Sequence, residues 1–481
     1  MFHCDTLIRN VQILDGSGGD ATFGSVAIKG HVIERVGDLD GTSAEETIDG
    51  GGKVLAPGFI DSHSHDDLYA IRSPEMLPKL SQGVTTAIVG NCGISASPVT
   101  LGSDPPSPMN LLGEASAFRY PKFGDYVAAI AAAEPAVNVA ALVGHTSLRS
   151  NWLDRLDRVA TSTEIATMRA QLDEALDCGA LGLSTGLAYS SANSASTEEV
   201  LAVAESLFRA GGIYATHLRN EGDRVLDAMN ESFQIGKHTK VPVIVSHLKC
   251  AGVNNWKRSG ELLRALEHAG GGGAIGWDCY PYAASSTVLD LKQVDARVTI
   301  MITWSTDYPE MAGKTLAEIA EAWGVGQIQA AKKLQPAGAI YHCMSEEDVR
   351  AILAHPGTMI GSDGLPNDAF PHPRLWGTFP RVLGHYSREQ KLFSLGEAVR
   401  KMTSLPAQRF GLADRGLVKE GYAADLVLFD PEVVRDTASF SDPVRAAAGI
   451  DAVWVNGKLA YSGGSSTGQR AGRFLQRQAK S

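Results

Sequence analysis

Positive charge is in short supply in this chain: 43 lysines and arginines stand against 54 aspartates and glutamates, a formal net charge of −11 over 481 residues. An acidic chain has no electrostatic footprint for nucleic acid or for anionic membranes. Long apolar runs are missing as well. None approaches the roughly 20 residues of a membrane span, and the opening MFHCDTLIRNVQILDG is a polar-flanked strand pattern without an apolar signal core. Cysteine is sparse. Cys4, Cys92, Cys178, Cys250, Cys279 and Cys343 are scattered singly, which leaves neither a disulfide framework nor a paired-cysteine metal knuckle. That usage fits a reducing compartment, so the cytoplasm is the expected location. Glycine, by contrast, is plentiful at 51 residues. With no three-residue period and with apolar runs between them, these glycines point to turns between many short elements rather than to collagen or disorder.

At both ends the pattern is that of short antiparallel strands. DTLIRNVQILDG, GSVAIKGHVIERVGDL and ETIDGGGKVLAPGFID near the start, and GLVKEGYAADLVLFDP and DAVWVNGKLAYSGG near the end, alternate apolar and polar positions between turns. Asn456-Gly457 is a type I′ hairpin signal. A small β-sandwich built from residues 1–57 and 413–481 is the expectation, with the basic RAGRFLQRQAK as a solvated tail.

Between these ends, short apolar strands alternate with amphipathic helices. LAPGFIDSHSH, GVTTAIVGNCG, VNVAALVGHTS, ALGLSTGLAY, GGIYATHLRN, VPVIVSHLKC, AIGWDCYPY and TMIGSDG give eight strands. Eight βα units predict an α/β fold, a closed parallel (β/α)8 barrel over 58–412. About 78 residues separate Tyr280 from Thr358, where a βα loop takes roughly 2–6 before its helix. The excess, 283–345, contains the helical patterns TLAEIAEAWG and QIQAAKKLQ. It reads as a lid or specificity element after strand seven, with packing against a neighbouring subunit as the alternative.

The chemistry is concentrated at strand ends. Strand one ends in His63 and His65, strand two in Cys92, strand three in His145, strand five in His217, strand six in His247 and strand eight in Asp363. A barrel brings its strand ends to one mouth. A single such histidine is more often a core residue than a ligand, but six strand ends in register are not explained that way. His63 and His65, one residue apart, share a face of an extended strand. Imidazole, thiolate and carboxylate together suit zinc better than calcium or magnesium. Lys249, two residues after His247, faces the same side if the strand continues.

These residues resemble the amidohydrolase superfamily: His-x-His after strand one, histidines after strands five and six, aspartate after strand eight, and a β domain from both termini. Hydantoinase-like members carry a carboxylated lysine at the end of strand four, where this chain has Ser184, Thr185 and Gly186. Cys92 in VGNCGIS, with GHTSLR, STGLAYS, THLRNEGD, SHLKCAG, YPYAASST, GSDG and HPRLWGTFPR, is instead similar to the N-acyl-D-amino-acid deacylases, or D-aminoacylases. The resemblance implies one tight zinc on Cys92, His217 and His247, and a weak or empty second site on His63, His65 and Asp363. It implies Asp363 as general acid and base, and Tyr189, Tyr280, Ser286 and Arg374 beside Lys249 around the α-carboxylate of a small N-acyl-D-amino acid. His145 stays open between a supporting role behind the metal and a merely structural one.

For the substrate side chain, Lys292 and Arg297 open the insertion, and a cation there favours N-acyl-D-glutamate, with Arg297 as the expected partner. An apolar pocket for hydrophobic D-amino acids, a cyclic-amide hydrolase of the hydantoinase or dihydropyrimidinase kind, and a non-catalytic scaffold are the competing readings. The strand-four residues argue against the second, and the complete ligand set against the third.

Overall fold

The computed structural model describes residues 2–270 and 274–477. Strands His3–Ile13, Thr22–Lys29, Val32–Gly37, Ser43–Asp49 and Val54–Pro57 from the start of the chain join Leu426–Phe429, Ile450–Val455, Lys458–Ser462 and Ser465–Ser466 from its end in one nine-stranded sheet. The two halves meet where Val54–Pro57 runs antiparallel to Leu426–Phe429. Ile8, Val26 and Ile28 from one half share an apolar cluster with Leu426, Leu428 and Trp454 from the other. The strands expected to form the β-sandwich from both termini are therefore joined in one continuous hydrogen-bonded sheet. The reason is His3–Ile13, which pairs with Thr22–Lys29 on one edge and with Ser43–Asp49 and Val54–Pro57 on the other, so pairing continues without a break. Asn456 and Gly457 have φ of 47° and 80° and connect antiparallel strands, as a type I′ turn requires.

The chain passes through Gly58 into a second set of strands, here labelled β1 (Phe59–Asp61), β2 (Val84–Val89), β3 (Asn138–Ala141, continued by Val143–Gly144), β4 (Gly182–Gly186), β5 (Ile213–His217), β6 (Val243–Val245), β7 (Ile275–Cys279) and β8 (Thr358–Ile360). Each pairs in parallel with the next in chain order. The Ser62 N–H donates to Ile360 O, and Ser64 bridges Gly364, so the end of β8 returns to the end of β1. Runs such as VTTAIV in β2 and VIV in β6 are buried at every position, the pattern of parallel strands covered on both faces. The helices between them start where the sequence provides caps. Thr161 and Glu164 form a capping box, and the Ser196 side chain accepts the Glu199 N–H.

After β7 the chain builds a satellite layer. Ser285–Val288, Ile300–Ser305 and Ala337–Tyr341 form an antiparallel sheet, with helices Leu316–Ala322 and Gln327–Leu334 packed through Ile302, Leu316, Ile319, Ala330 and Leu334. The helices match the patterned segments, whereas the strands carried no alternation that set them apart.

The carboxyl-terminal segment corrects the expectation of a solvated tail. Val139 N–H in β3 donates to Arg473 O, and Leu475 N–H donates to Val139 O, while the Phe474 ring packs 5.8 Å from that of Phe123. Two apolar side chains in an otherwise basic run are enough to dock it. Residues 478–480 of that run lie outside the described residues. Among the described residues no helix is long and apolar enough to cross a membrane.

Candidate metal centre

The backbone closes tightly around Cys92. A side chain at Gly90 would meet Leu142 O at 2.1 Å, and one at Gly186 would meet the carbonyl of Cys92 at 2.1 Å. Cys92, His247 and Asp363 hold left-handed backbone, with φ of 53°, 36° and 49°. Such conformations cost of order 1–3 kcal/mol each and persist only where the surroundings dictate them.

The side chains converge as the strand ends suggested. Cys92 Sγ lies 3.2 Å from His63 Nε2 and 3.3 Å from His247 Nε2. Asp363 Oδ1 is 3.1 Å from His65 Nε2 and 3.5 Å from His63 Nε2, and its Oδ2 is 2.9 Å from Arg374 Nη2. Ligand atoms of His63, Cys92, His247 and Asp363 all fall within 4.8 Å of one another, and a second such group, His217, Glu221 and His247, shares His247. His217 completes the corner, its ring centroid 4.5 Å from that of His247.

Burial sets the protonation of this cluster. It presses His63 and His217 down to about 3, so both imidazoles are neutral and carry a free lone pair at neutral pH. It pushes the Cys92 thiol well above its ordinary value, with Asp363 adding to the effect, so a thiolate here calls for a cation. Burial also opposes ionisation of Asp363, but Arg374 and His65 outweigh it and hold the carboxyl well below its usual range. The donor set of one thiol, imidazoles and carboxylates fits zinc. The buried Nδ1 of His217, which has no hydrogen-bond partner among the described residues, is a nitrogen of the kind a metal would use.

A cavity of about 860 Å³ opens over the cluster. His65, His217, His247 and Asp363 line its floor, Tyr189, Lys249, Tyr280 and Ser286 its wall, and the insertion covers it. Lys249 Nζ is 2.6 Å from Glu221 Oε1, and Tyr189 hydroxyl is 3.1 Å from Thr287 Oγ1. The Tyr280 hydroxyl and Ser286 Oγ are buried without a hydrogen-bond partner among the described residues. Arg374 lies fully buried behind Asp363, with its guanidinium 4.6 Å from the Tyr280 ring and Nη2 donating to Ser286 O.

The amidohydrolase family matches residues 46–300 and 276–461. A D-aminoacylase of Alcaligenes xylosoxydans xylosoxydans is 48% identical over 99% of this chain and 98% of its own length. The chain belongs to the D-aminoacylase family of amidohydrolases. An N-acyl-D-aspartate deacylase of the same organism is 47% identical over 98% of this chain and 95% of its own. Among solved structures, an N-acyl-D-glutamate deacylase from Bordetella bronchiseptica, complexed with zinc and a phosphonate inhibitor, superposes with a TM-score of 0.95 at 42% identity, covering 98% and 100% of the two chains.

Two residues expected around the substrate do not line the cavity: Arg374, buried and paired with Asp363, and Arg297. The structure does not bring Arg297 to the cavity. Asp295, two residues earlier, folds back and takes Arg297 Nε at 3.0 Å and Nη2 at 2.7 Å, and Asn254 accepts from Nη1 at 2.9 Å. Lys292 and Asp295 of the same segment do line the cavity. His145 is also apart from the metal groups; its Nε2 is 3.3 Å from Glu199 Oε1.

Three further groups escaped the reading of the sequence. Asp278 in β7 accepts the His247 N–H at 2.9 Å, and its Oδ1 lies 3.5 Å from His63 Nδ1; burial pushes it up to about 7. Lys79 is fully buried against Asp61 at 2.7 Å, Asp66 at 3.0 Å and Ser362 at 3.0 Å, and so ties the end of β1 to that of β8. Glu221 follows His217 by four residues and touches His217, His247 and Lys249. An acidic residue inside an apolar strand was the available signal for Asp278, and the acidic turn of THLRNEGD for Glu221.

Proposed function

We propose that this enzyme hydrolyses the amide bond of N-acyl-D-amino acids to a carboxylate and a free D-amino acid, with N-acyl-D-glutamate as its preferred substrate. The observation that carries the reading is the placement of Asp363: an ionised carboxylate, fixed by Arg374 on one oxygen and His65 on the other, beside the Cys92 and His247 ligand atoms and facing the cavity. Cys92, His217 and His247 would hold one tight zinc, and His63, His65 and Asp363 a weaker second site. Zinc supplies activated water and polarises the acyl carbonyl when bound.

Asp363 takes the proton of the attacking water and returns it to the leaving amine, for which it must be ionised in the resting enzyme. Arg374 keeps it ionised and aimed. The unpaired Tyr280 hydroxyl and Ser286 Oγ, with Lys249 close by, offer donors for the α-carboxylate, where a fixed cation is worth more in a closed site than in water. The side chain then extends under the insertion toward Lys292, which supports an acidic residue there. Val288, Leu289 and Val298 on the same wall favour a second reading, a hydrophobic D-amino acid.

A panel of N-acetyl amino acids in both configurations tests the proposal. Zinc-dependent turnover of the D series, led by N-acetyl-D-glutamate, is expected, and Asp363→Asn should keep tight zinc while losing roughly 10²–10⁴-fold in kcat. Turnover confined to L substrates, or near-parental activity of Asp363→Asn, would sink it; faster hydrolysis of N-acetyl-D-leucine would replace glutamate by the hydrophobic reading.

A further inference from the structure

Glu221 stands where three parts of the site meet. Its Oε1 is 3.0 Å from His247 Nδ1 and 2.6 Å from Lys249 Nζ, and its Oε2 is 3.4 Å from His217 Nε2. The carboxylate therefore approaches the two histidines at opposite ring nitrogens. On His247 the nitrogen left over is Nε2, 3.3 Å from Cys92 Sγ. On His217 it is the buried Nδ1, which has no partner among the described residues. A neutral imidazole has one donor and one acceptor nitrogen, and a carboxylate only accepts, so it fixes the proton on the nitrogen it faces and the lone pair on the other.

Lys249 complicates this arrangement, because its Nζ is also only 2.7 Å from His247 Nδ1. An ammonium is donor only. If it bonded Nδ1, the proton of His247 would move to Nε2, pointing at Cys92 and removing the lone pair a metal needs. Glu221 Oε1, which accepts from Lys249 and lies 3.0 Å from His247 Nδ1, is placed to prevent this.

We propose that Glu221 is the positioning residue of the metal centre. One carboxylate sets the tautomers of His217 and His247 in opposite senses and keeps Lys249 from capturing His247. The inference rests on the zinc reading of the site, and it separates Glu221 from the ligands themselves: the carboxylate acts through the back nitrogens, without touching the ion.

Zinc affinity of the purified chain, measured by competition with a chromophoric chelator, tests it. Glu221→Ala should weaken zinc binding by roughly 10–100-fold, the range for carboxylates behind histidine ligands. Adding Lys249→Met to that variant should restore a large part of the loss, because the competing donor is gone. A merely structural role would not give this rescue. Glu221→Gln, which changes shape least, should shift affinity in the same direction should the alanine variant fold poorly, as far-UV circular dichroism of the zinc-free proteins would reveal.

Affinity within about twofold of the parent in Glu221→Ala and Glu221→Gln would overturn the proposal, as would a double variant no better than Glu221→Ala. Loss of an oxygen neighbour from the zinc X-ray absorption spectrum of Glu221→Gln would overturn it in favour of direct ligation. A parent protein that binds no zinc would instead remove the zinc reading on which the inference stands.

Discussion

Two buried clusters at the ends of the parallel strands combine histidine, carboxylate and a cation, and they do different things. At the mouth, His63, Cys92, His247 and Asp363 bring four ligand atoms within 4.8 Å, three of them on residues in left-handed backbone, beneath a cavity of about 860 Å³. Behind β3, His145 and Arg149, in the helix His145–Trp152, meet Glu199 in Thr197–Ala204. There Glu199 is held by Arg149 and by the Ala160 N–H at 2.8 Å, with His145 Nε2 at 3.3 Å, and none of the three side chains lines the cavity over the mouth. Both are buried, and both depress the basicity of a histidine by burial. Burial and residue type therefore do not distinguish them. The mouth gathers ligand atoms of different chemistry from four residues, whereas the other cluster surrounds one carboxylate with a guanidinium, a backbone N–H and an imidazole.

Removal of the sulfur is the largest expected break in this comparison. Cys92→Ala takes away the group common to both Nε2 contacts, and zinc content of the purified protein should fall with activity by roughly 10³-fold or more, corresponding to several kcal/mol of metal stabilisation. His145→Asn should leave zinc content where it was. If metal analysis found zinc retained in Cys92→Ala and lost in His145→Asn, the two clusters would have to exchange roles.

The strand-end residues stood out because parallel strands convert a repeated position into a shared place: each follows an apolar strand, and the same register puts His63, Cys92, His247 and Asp363 together, with His217 against His247. His145 obeys the same register and still goes elsewhere, since β3 runs straight into a helix whose first residue it is. Asp278, Lys79 and Glu221 were harder to see, because each is a single charged residue most of whose partners come from other strands, with His217 the one sequence neighbour that Glu221 touches. Arg297 failed for the opposite reason. Its nearest anion is two residues away in sequence, and local capture by Asp295 beats a distant cavity. The single terminal sheet was hidden similarly, since alternation marks strands but not which edges pair.

Smaller, and confined to stability, is the effect expected at the closed cluster. Glu199→Gln leaves the Arg149 guanidinium buried without its counter-charge, and should cost about 3–5 kcal/mol in urea unfolding while zinc content stays parental. Burial raises the Glu199 carboxyl, but His145, the Ala160 N–H and Arg149 outweigh it and hold it at about 2, below the ordinary 4.5. The ionised form is thus favoured by folding. Its contribution is present above pH 4.5 and disappears as pH falls through about 2, so the gap between parent and variant should narrow over that window. A gap independent of pH between those limits would show that the charge of Glu199 is not what the cluster uses.

The smallest effect sharpens the same contrast between open and closed charges on the insertion. Arg297 is closed by Asp295 and Asn254, whereas Lys292 lines the cavity with no ion pair among the described residues. A charge-assisted hydrogen bond contributes roughly 1.5–3 kcal/mol, and exposure of Lys292 places it at or below the lower end. Lys292→Ala should therefore lower kcat/KM for N-acetyl-D-glutamate by about tenfold and leave N-acetyl-D-leucine unchanged, while Arg297→Ala changes both by less than about twofold. The reverse pattern would mean that the Asp295 pairing opens when substrate binds, and that closure of a charge in the resting structure does not exclude it from the site.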